Sequence, residues 1–136
     1  DPENAPDVNY TSDDFIMYTD KPSYTIQELK DGKINATLIP ADHYEGVMTT
    51  YYSPIMEKYK KGEWHRLYYF TDEIIQGYHS LEYFKWRTYD TKNMVNDIKI
   101  TLEYDYFYPE PTPGKYRIVM FMGKNCKVYA EFELTK

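Results

Sequence analysis

The sequence predicts an all-β protein, an antiparallel β-sandwich of about seven to nine strands. Short apolar runs recur along the chain, and turn residues such as Asp31-Gly32 and Lys61-Gly62 separate them. The 17 tyrosines and 6 phenylalanines also favour strands, because aromatic side chains suit a half-buried pleated surface. No segment shows a helical apolar stripe of about twelve residues or more.

The first half of the chain contains candidate strands that each end at a turn signal. They are FIMYT at 15–19, KINATLI at 33–39, VMTTYY at 47–52, IMEKYK at 55–60 and EWHRLYYF at 63–70. The last two flank Lys61-Gly62, which predicts a β-hairpin. Residues 71–84 have room for one helical turn before Gly77 and are assigned no strand.

Two late segments have the clearest strand pattern, because apolar and polar residues alternate along them. The apolar positions are Ile98, Ile100, Leu102, Tyr104, Tyr106 and Tyr108 in the first, and Cys126, Val128, Ala130, Phe132 and Leu134 in the second. Such alternation is typical of antiparallel strands with one buried face and one wet face. Cys126, the only cysteine, is therefore predicted to be an inert, inward-facing hydrophobe.

The domain organisation follows from composition. Residues 1–14 are polar, acidic and proline-containing, and they predict a flexible acidic arm. Residues 15–136 form the predicted single domain, since a chain of 136 residues is long enough for one hydrophobic core. A net charge of −6 disfavours nucleic acid as a partner, and no apolar run is long enough for a transmembrane segment.

The segment PTPGKYRIVMFM at 111–122 predicts how the chain enters a late strand. Pro113 fixes its own φ, and Gly114 permits a positive φ, so the two predict a tight turn. Tyr116 then begins the alternating strand. This arrangement fits the tyrosine corner of immunoglobulin-like sandwiches, in which a buried tyrosine hydroxyl bonds to backbone a few residues upstream. We therefore predict a buried Tyr116 bonded to backbone within residues 109–113.

Several segments together resemble a bacterial immunoglobulin-like domain found in predicted exported proteins and lipoproteins of Gram-positive, often gut-dwelling, bacteria. The segments are TDKPSYTI, IMEKYKKGEWHRL, GKYRIV and YAEFEL. The positions that match the family pattern are Glu57, Lys58, Gly62, Trp64 and Leu67 in the hairpin, and Pro113, Gly114, Lys115, Tyr116 and Arg117 before the penultimate strand. The resemblance spans residues 15–136 with gaps, and residues 71–108 depart from it.

The resemblance implies an immunoglobulin-like fold, a secreted or cell-surface-anchored bacterial protein, and no catalytic activity. The matched positions mark turns and core rather than chemistry, so Trp64, Gly114 and Tyr116 are interpreted as structural residues. Because residues 71–108 are longer and more aromatic than the family pattern, the pairing of strands in that region is left open.

Residues that could carry catalysis or bind metal are scattered. His43, His65 and His79 lack metal-binding spacing. The acidic residues Asp13, Asp14 and Asp20 could contribute to a calcium site, but the spacing of an EF-hand loop is missing, and a solvated acidic arm is the stronger interpretation. The sequence therefore predicts no catalytic residues, no metal site and no cofactor.

The aromatic residues are the feature most open to a binding role. Trp64 and Trp86 are predicted to belong to the core. Tyr106, Phe107 and Tyr108 precede Pro109, where the strand should end, so their rings could emerge at one end of the sandwich and engage a ligand. The alternative is that these rings pack beneath a neighbouring loop.

Two function classes follow for this chain. The first is a non-enzymatic exported module that serves as a spacer or as a ligand- or protein-binding domain of the cell envelope. The second is a carbohydrate-binding domain that assists a glycan-degrading system. A hydrolase is the poorer hypothesis, because no nucleophile or phosphate-binding motif is present. The expected partner is a protein or a glycan.

Overall fold

A computed structural model describes residues 4–51, 53–67, 86–94, 97–102 and 109–136. The strands are β1 (Phe15–Thr19), β2 (Ser23–Thr25), β3 (Asn35–Pro40), β4 (Val47–Tyr51), β5 (Ile55–Lys60), β6 (Glu63–Leu67), β7 (Trp86–Asp90), β8 (Ile98–Thr101), β9 (Gly114–Met122) and β10 (Cys126–Thr135). One short helix, α1 (Ile26–Lys30), and 3-10 turns at Ser12–Asp14 and Thr91–Asn93 complete the described elements. The all-β prediction is confirmed.

The described strands number ten, more than the seven to nine predicted, because β2 and β7 were not foreseen. β2 has only three residues. β7 has the sequence WRTYD, which lacks an alternation of apolar and polar residues. Both strands form through pairing with distant parts of the chain, so local sequence patterns do not mark them.

The strands form two sheets. The first has the order β1-β3-β8 and is antiparallel. The second has the order β2-β10-β9-β4-β7, and β5 pairs with both β9 and β6. β4 and β5 lie one after the other along the same edge of β9, because Thr50 pairs with Met122 and Ile55 pairs with Val119. β10 is antiparallel to β9, and its last residues are parallel to β2.

The core lies between the sheets and is built from the alternating apolar positions. Its largest fully buried side chains include Leu29, Ile34, Leu38, Met48, Met56, Leu102, Tyr116, Ile118 and Leu134. Every second residue of β10 is buried, as predicted for an antiparallel strand with one wet face. None of the described helices is long and apolar enough to cross a membrane.

The predicted hairpin at Lys61-Gly62 is confirmed. Lys60 pairs with Glu63, so the turn between β5 and β6 contains two residues. Lys61 has a φ of 51° and Gly62 a φ of 83°. Positive φ at both central residues is the signature of a type I′ turn, whose twist matches that of the flanking strands.

The tyrosine-corner prediction is also confirmed. Tyr116 is fully buried, and its hydroxyl accepts a hydrogen bond from the Thr112 N–H at 2.9 Å. The same hydroxyl donates to the Thr112 carbonyl. Gly114 has a φ of +152°, the positive value that the turn was expected to need. The ring of Tyr116 stacks on Phe132 of β10, so the corner joins the turn to the core.

The N-terminal segment contacts the domain at Tyr10. Its hydroxyl donates to the Val47 carbonyl at 2.6 Å and accepts from the Thr49 N–H at 3.0 Å. Its ring packs edge-on against Phe15, with centroids 4.8 Å apart. The second half of the predicted flexible arm therefore lies against the sandwich. The sequence predicted a flexible arm because one aromatic residue, Tyr10, hardly changes the polar average composition of residues 1–14.

Cys126 faces inward on β10, as predicted, with 5% of its surface exposed. Burial, followed by the nearby charge of Asp14, raises the pKa of its thiol, so less thiolate is present at a given pH. We expect a thiol reagent to label the native protein much more slowly than a free small thiol at pH 8, and to label it rapidly in denaturant. Equal labelling rates in both conditions would contradict an inert Cys126.

Candidate binding surface

The predicted binding residues Tyr106, Phe107 and Tyr108 lie outside the described residues, and that hypothesis stays a prediction. The prediction that Trp64 belongs to the core is wrong. Trp64 is half-buried on the outer face of the second sheet. It pairs with Tyr59, three positions along the hairpin from the buried pair of Met56 and Leu67, and an odd spacing places the two pairs on opposite faces.

The other tryptophan also lies outside the main core. Trp86 packs edge-on against Tyr51, with ring centroids 5.3 Å apart. Both rings cover a small apolar cluster of Ile55, Val119 and Phe121, which is separate from the main core. Trp86 is therefore partly buried against this smaller core cluster and does not belong to the main core.

Arg117 organises the outer face of the second sheet. Its guanidinium lies 4.2 Å from the ring centroid of Trp64 and 3.9 Å from that of Tyr129. Its Nε donates to Glu57 Oε1 at 2.6 Å. Two aromatic contacts and one ion pair hold this long side chain in place, which lowers the entropy that a ligand would otherwise have to remove. We call Trp64, Arg117 and Tyr129 the arginine stack.

A second cation extends the arginine stack along β9. Lys115 Nζ lies 5.2 Å from the ring centroid of Tyr59 and 5.7 Å from that of Trp64. It also lies 3.5 Å from a carboxylate oxygen of Glu131. Tyr59 remains 40% exposed and Tyr129 41% exposed. The face therefore presents accessible aromatic surface with its cations already paired.

An open groove of about 580 Å³ borders the arginine stack. One wall is formed by residues 17–22, where the chain leaves β1 and enters β2, and the other by Arg117 and residues 129–131. Tyr18 on the first wall is 46% exposed. The groove thus lies between an edge of the first sheet and an edge of the second, and its volume is within the usual range of ligand-binding sites.

The β10 wall of the groove is a strand edge. The Glu133 N–H donates away from β9, to the Pro22 carbonyl at 3.0 Å. Backbone groups of alternate residues in an antiparallel strand point the same way, so those of Tyr129 and Glu131 also point away from β9. β2 pairs only with residues 133–135. Among the described strands, none pairs with Tyr129 or Glu131 on this side.

The charges of the groove are paired with one exception. Lys21 Nζ lies 2.6 Å from Glu28 Oε2, and its ammonium is 4.9 Å from the ring centroid of Tyr24. Arg117 and Glu131 have the partners given above. Within the described part of the chain, no ion pair or hydrogen bond engages the carboxylate of Asp20. Its backbone N–H donates to the Asn35 carbonyl at 3.0 Å, which fixes its position.

The residues considered for metal binding stay apart where they are described. His43 Nε2 lies 3.3 Å from Asp14 Oδ1, and His65 lies on the β5–β6 hairpin. His79 is outside the described ranges. In those ranges no group of three or more histidine, cysteine, aspartate or glutamate side chains could hold a metal ion.

No protein-family model matches the sequence, and no curated protein matches it significantly.

Sequence reasoning placed Tyr129 on the wet face of its strand and included Arg117 in a structural motif, but it did not bring the two together. The available signal was the alternation of the last two strands, which places Arg117 and Tyr129 both outward on strands that follow each other in the chain.

Proposed function

We propose that this chain is a non-enzymatic, immunoglobulin-like binding module exported to the bacterial cell envelope. The observation that supports a binding role is the arginine stack beside an open groove. Tyrosine, tryptophan and arginine are the residues most enriched at the energetic centres of protein interfaces. The side chains of this face are also held in place before any ligand arrives, which favours binding.

The order of the strands supports the immunoglobulin-like part of the proposal. β1, β3 and β8 correspond to strands A, B and E of such a domain, and β5, β9 and β10 correspond to strands C, F and G. The hydrogen bonds of Tyr116 to Thr112 supply the tyrosine corner near the start of strand F. Export and surface anchoring rest on the sequence motifs that resemble exported bacterial domains.

A carbohydrate-binding domain is the second candidate. The exposed rings of Tyr59 and Tyr129 favour it, because aromatic rings on an outer sheet face can stack on sugars. A spacer without a ligand is the third possibility. A spacer would have no need for the accessible aromatic surface. The three differ in what binds, and the same screen separates them.

We expect a screen of cell-wall glycans, host glycans and host extracellular proteins to find a ligand that depends on the arginine stack. Tyr129→Ala and Trp64→Ala should each weaken binding at least about tenfold, the effect of losing an interface anchor. Phe107→Ala, at the end predicted from sequence, serves as the comparison and should leave binding unchanged. Thermal unfolding of each variant checks that the domain still folds.

Two results would overturn this placement. Binding that survives both Tyr129→Ala and Trp64→Ala, but is lost with Phe107→Ala, would move the site to residues 106–108. The absence of any ligand in the screen would favour the spacer. A glycan ligand that requires Tyr129 would select the carbohydrate-binding alternative.

A further inference from the structure

We propose that this domain bears mechanical load. It resists tension applied between its N-terminal segment and the end of β10, and the contact between β2 and β10 bears that tension. The proposal goes beyond the binding function and does not depend on it. Three features of the fold support it: the two ends lie at opposite poles, the strands beside them run from pole to pole, and the contact between β2 and β10 is buried.

The N-terminal segment and the end of β10 lie at opposite poles of the sandwich. At one pole the Val8 carbonyl accepts from the Lys124 N–H at 2.7 Å, which places the segment beside the turn between β9 and β10. Asn125 Nδ2 also donates to Asn9 Oδ1 there, at 2.9 Å. β10 begins after this turn and runs for ten residues to Thr135. Ten residues of strand span about 30 Å, so tension between the two ends acts along β10.

The strands next to the two ends are aligned with this tension. Residues 17–22 lie beside residues 129–131, and Ser23 pairs with Glu133, so the chain from β1 to β2 runs parallel to β10. Tension therefore pulls β1 and β2 toward one pole and β10 toward the other. β3 holds β1 through antiparallel pairing over its full length, and β9 holds β10 in the same way over residues 126–134.

Tension in this direction loads the contact between β2 and β10 in shear. Hydrogen bonds between strands lie across the strands, so strands that slide past each other break the bonds of a contact together, whereas strands that are pulled apart sideways break them one after another. The contact has three residue pairs, at positions 23–25 and 133–135. Directly beside them, the Glu133 N–H donates to the Pro22 carbonyl at 3.0 Å. Sliding β10 past β2 therefore requires the simultaneous loss of this contact.

Apolar side chains shield the contact from water. Tyr24 of β2 and its partner Leu134 of β10 are both buried. The Tyr24 ring packs edge-on against Phe132, with centroids 6.0 Å apart, and its hydroxyl accepts from the Lys21 N–H at 3.0 Å. Hydrogen bonds in such a low-dielectric setting are stronger than hydrogen bonds in water. A contact of three residue pairs can therefore resist sliding.

The N-terminal segment is expected to detach before the sheets do. Its contacts at Val8 and Tyr10 follow one another along the chain, so tension breaks them one at a time. The segment then lengthens without disturbing β1, and the tension reaches the contact between β2 and β10. The arginine stack stays assembled at this stage, because Arg117 and Tyr129 belong to β9 and β10, which remain paired.

Single-molecule force spectroscopy in two pulling geometries tests the proposal. In the first, handles are fused to the two ends of the chain. In the second, one handle stays at the C-terminal end and the other is attached to Glu63→Cys, an exposed position of the β5–β6 hairpin. Both proteins also have Cys126→Ala, so that no second thiol is present.

The second geometry pulls across the strands. Lys58 pairs with Tyr116 and Leu134 pairs with Gly114, so the tip of the hairpin and the end of β10 lie at the same pole. We expect end-to-end pulling to show a small first extension, when the N-terminal segment detaches, and then unfolding at a higher force than the second geometry at the same pulling speed. The forced unfolding rate is governed by the barrier that each geometry must cross.

Two proline variants test the contact between β2 and β10. Thr135 lies two residues after Glu133 on the same edge, so its N–H also points toward β2, and Thr135→Pro removes that donor. Lys136→Pro is the control, because residue 136 lies just beyond the end of β10. We expect Thr135→Pro to lower the end-to-end unfolding force and Lys136→Pro to leave it unchanged. Chemical denaturation checks that both variants fold.

Equal unfolding forces in the two pulling geometries would overturn the proposal. An end-to-end force that Thr135→Pro does not lower would also overturn it, because the tension would then be borne elsewhere. Neither result affects the binding function proposed above, which is tested separately by the affinities of the Tyr129→Ala and Trp64→Ala variants.

Discussion

Replacing Tyr116 with phenylalanine is expected to lower the free energy of unfolding by about 1–3 kcal/mol. The change removes the hydroxyl that bonds to both backbone groups of Thr112, so an N–H and a carbonyl at a buried corner lose their partner. The ring itself is retained, and packing against Phe132 should be preserved. Chemical denaturation of wild type and variant measures the difference.

Tyr59→Phe is the matched control for this experiment. Tyr59 also loses only a hydroxyl, but its side chain is exposed on the outer face, so the expected change is within about 0.5 kcal/mol. If the two variants had equal stability, the hydrogen bonds of the tyrosine corner would contribute nothing measurable to the fold.

Replacing Gly123 with alanine is expected to destabilise the protein by about 2 kcal/mol or more, from strain and a clash. Gly123 has a φ of +56°, which alone disfavours a side chain. A Cβ atom there would also lie 2.3 Å from the Val8 carbonyl oxygen and 3.0 Å from the Tyr10 ring. Because backbone cannot yield as a flexible side chain does, the segment around Tyr10 should detach.

Gly32→Ala is the control that introduces the backbone strain without the clash. Gly32 has a similar φ of +69°, but a Cβ atom there would contact nothing within 4 Å. We expect Gly123→Ala to lose more stability than Gly32→Ala and to become sensitive to proteases near Tyr10, while Gly32→Ala does not. Equal stability losses and no new cleavage would show that the N-terminal segment is not anchored as described.

Features that depend on neighbouring residues were predictable from the sequence. The alternation in β10 identified its buried face, including Cys126, and Lys61-Gly62 identified a hairpin through the positive φ that both residues adopt. Tyr116 was predictable for the same reason, because the turn and the tyrosine that closes it lie within a few residues. Each of these signals follows from geometry that a short segment determines alone.

Features that depend on pairing between distant strands were not predictable. Trp64 looks like a core residue, since large apolar side chains are usually buried. Its outward position follows from the register of β5 with β6, and its contact with Arg117 requires β5 to pair with β9. The groove likewise exists because β1 and β2 lie in different sheets, which no single segment indicates.

Amide hydrogen exchange of the free protein tests most directly whether the outer edge of β10 beside the groove is unpaired. The N–H group of Ala130 points toward β9. The N–H groups of Tyr129 and Glu131, on the same strand, face the groove. We predict fast exchange at Tyr129 and Glu131 and slow exchange at Ala130. Equally slow exchange at all three positions would contradict an unpaired edge at Tyr129 and Glu131.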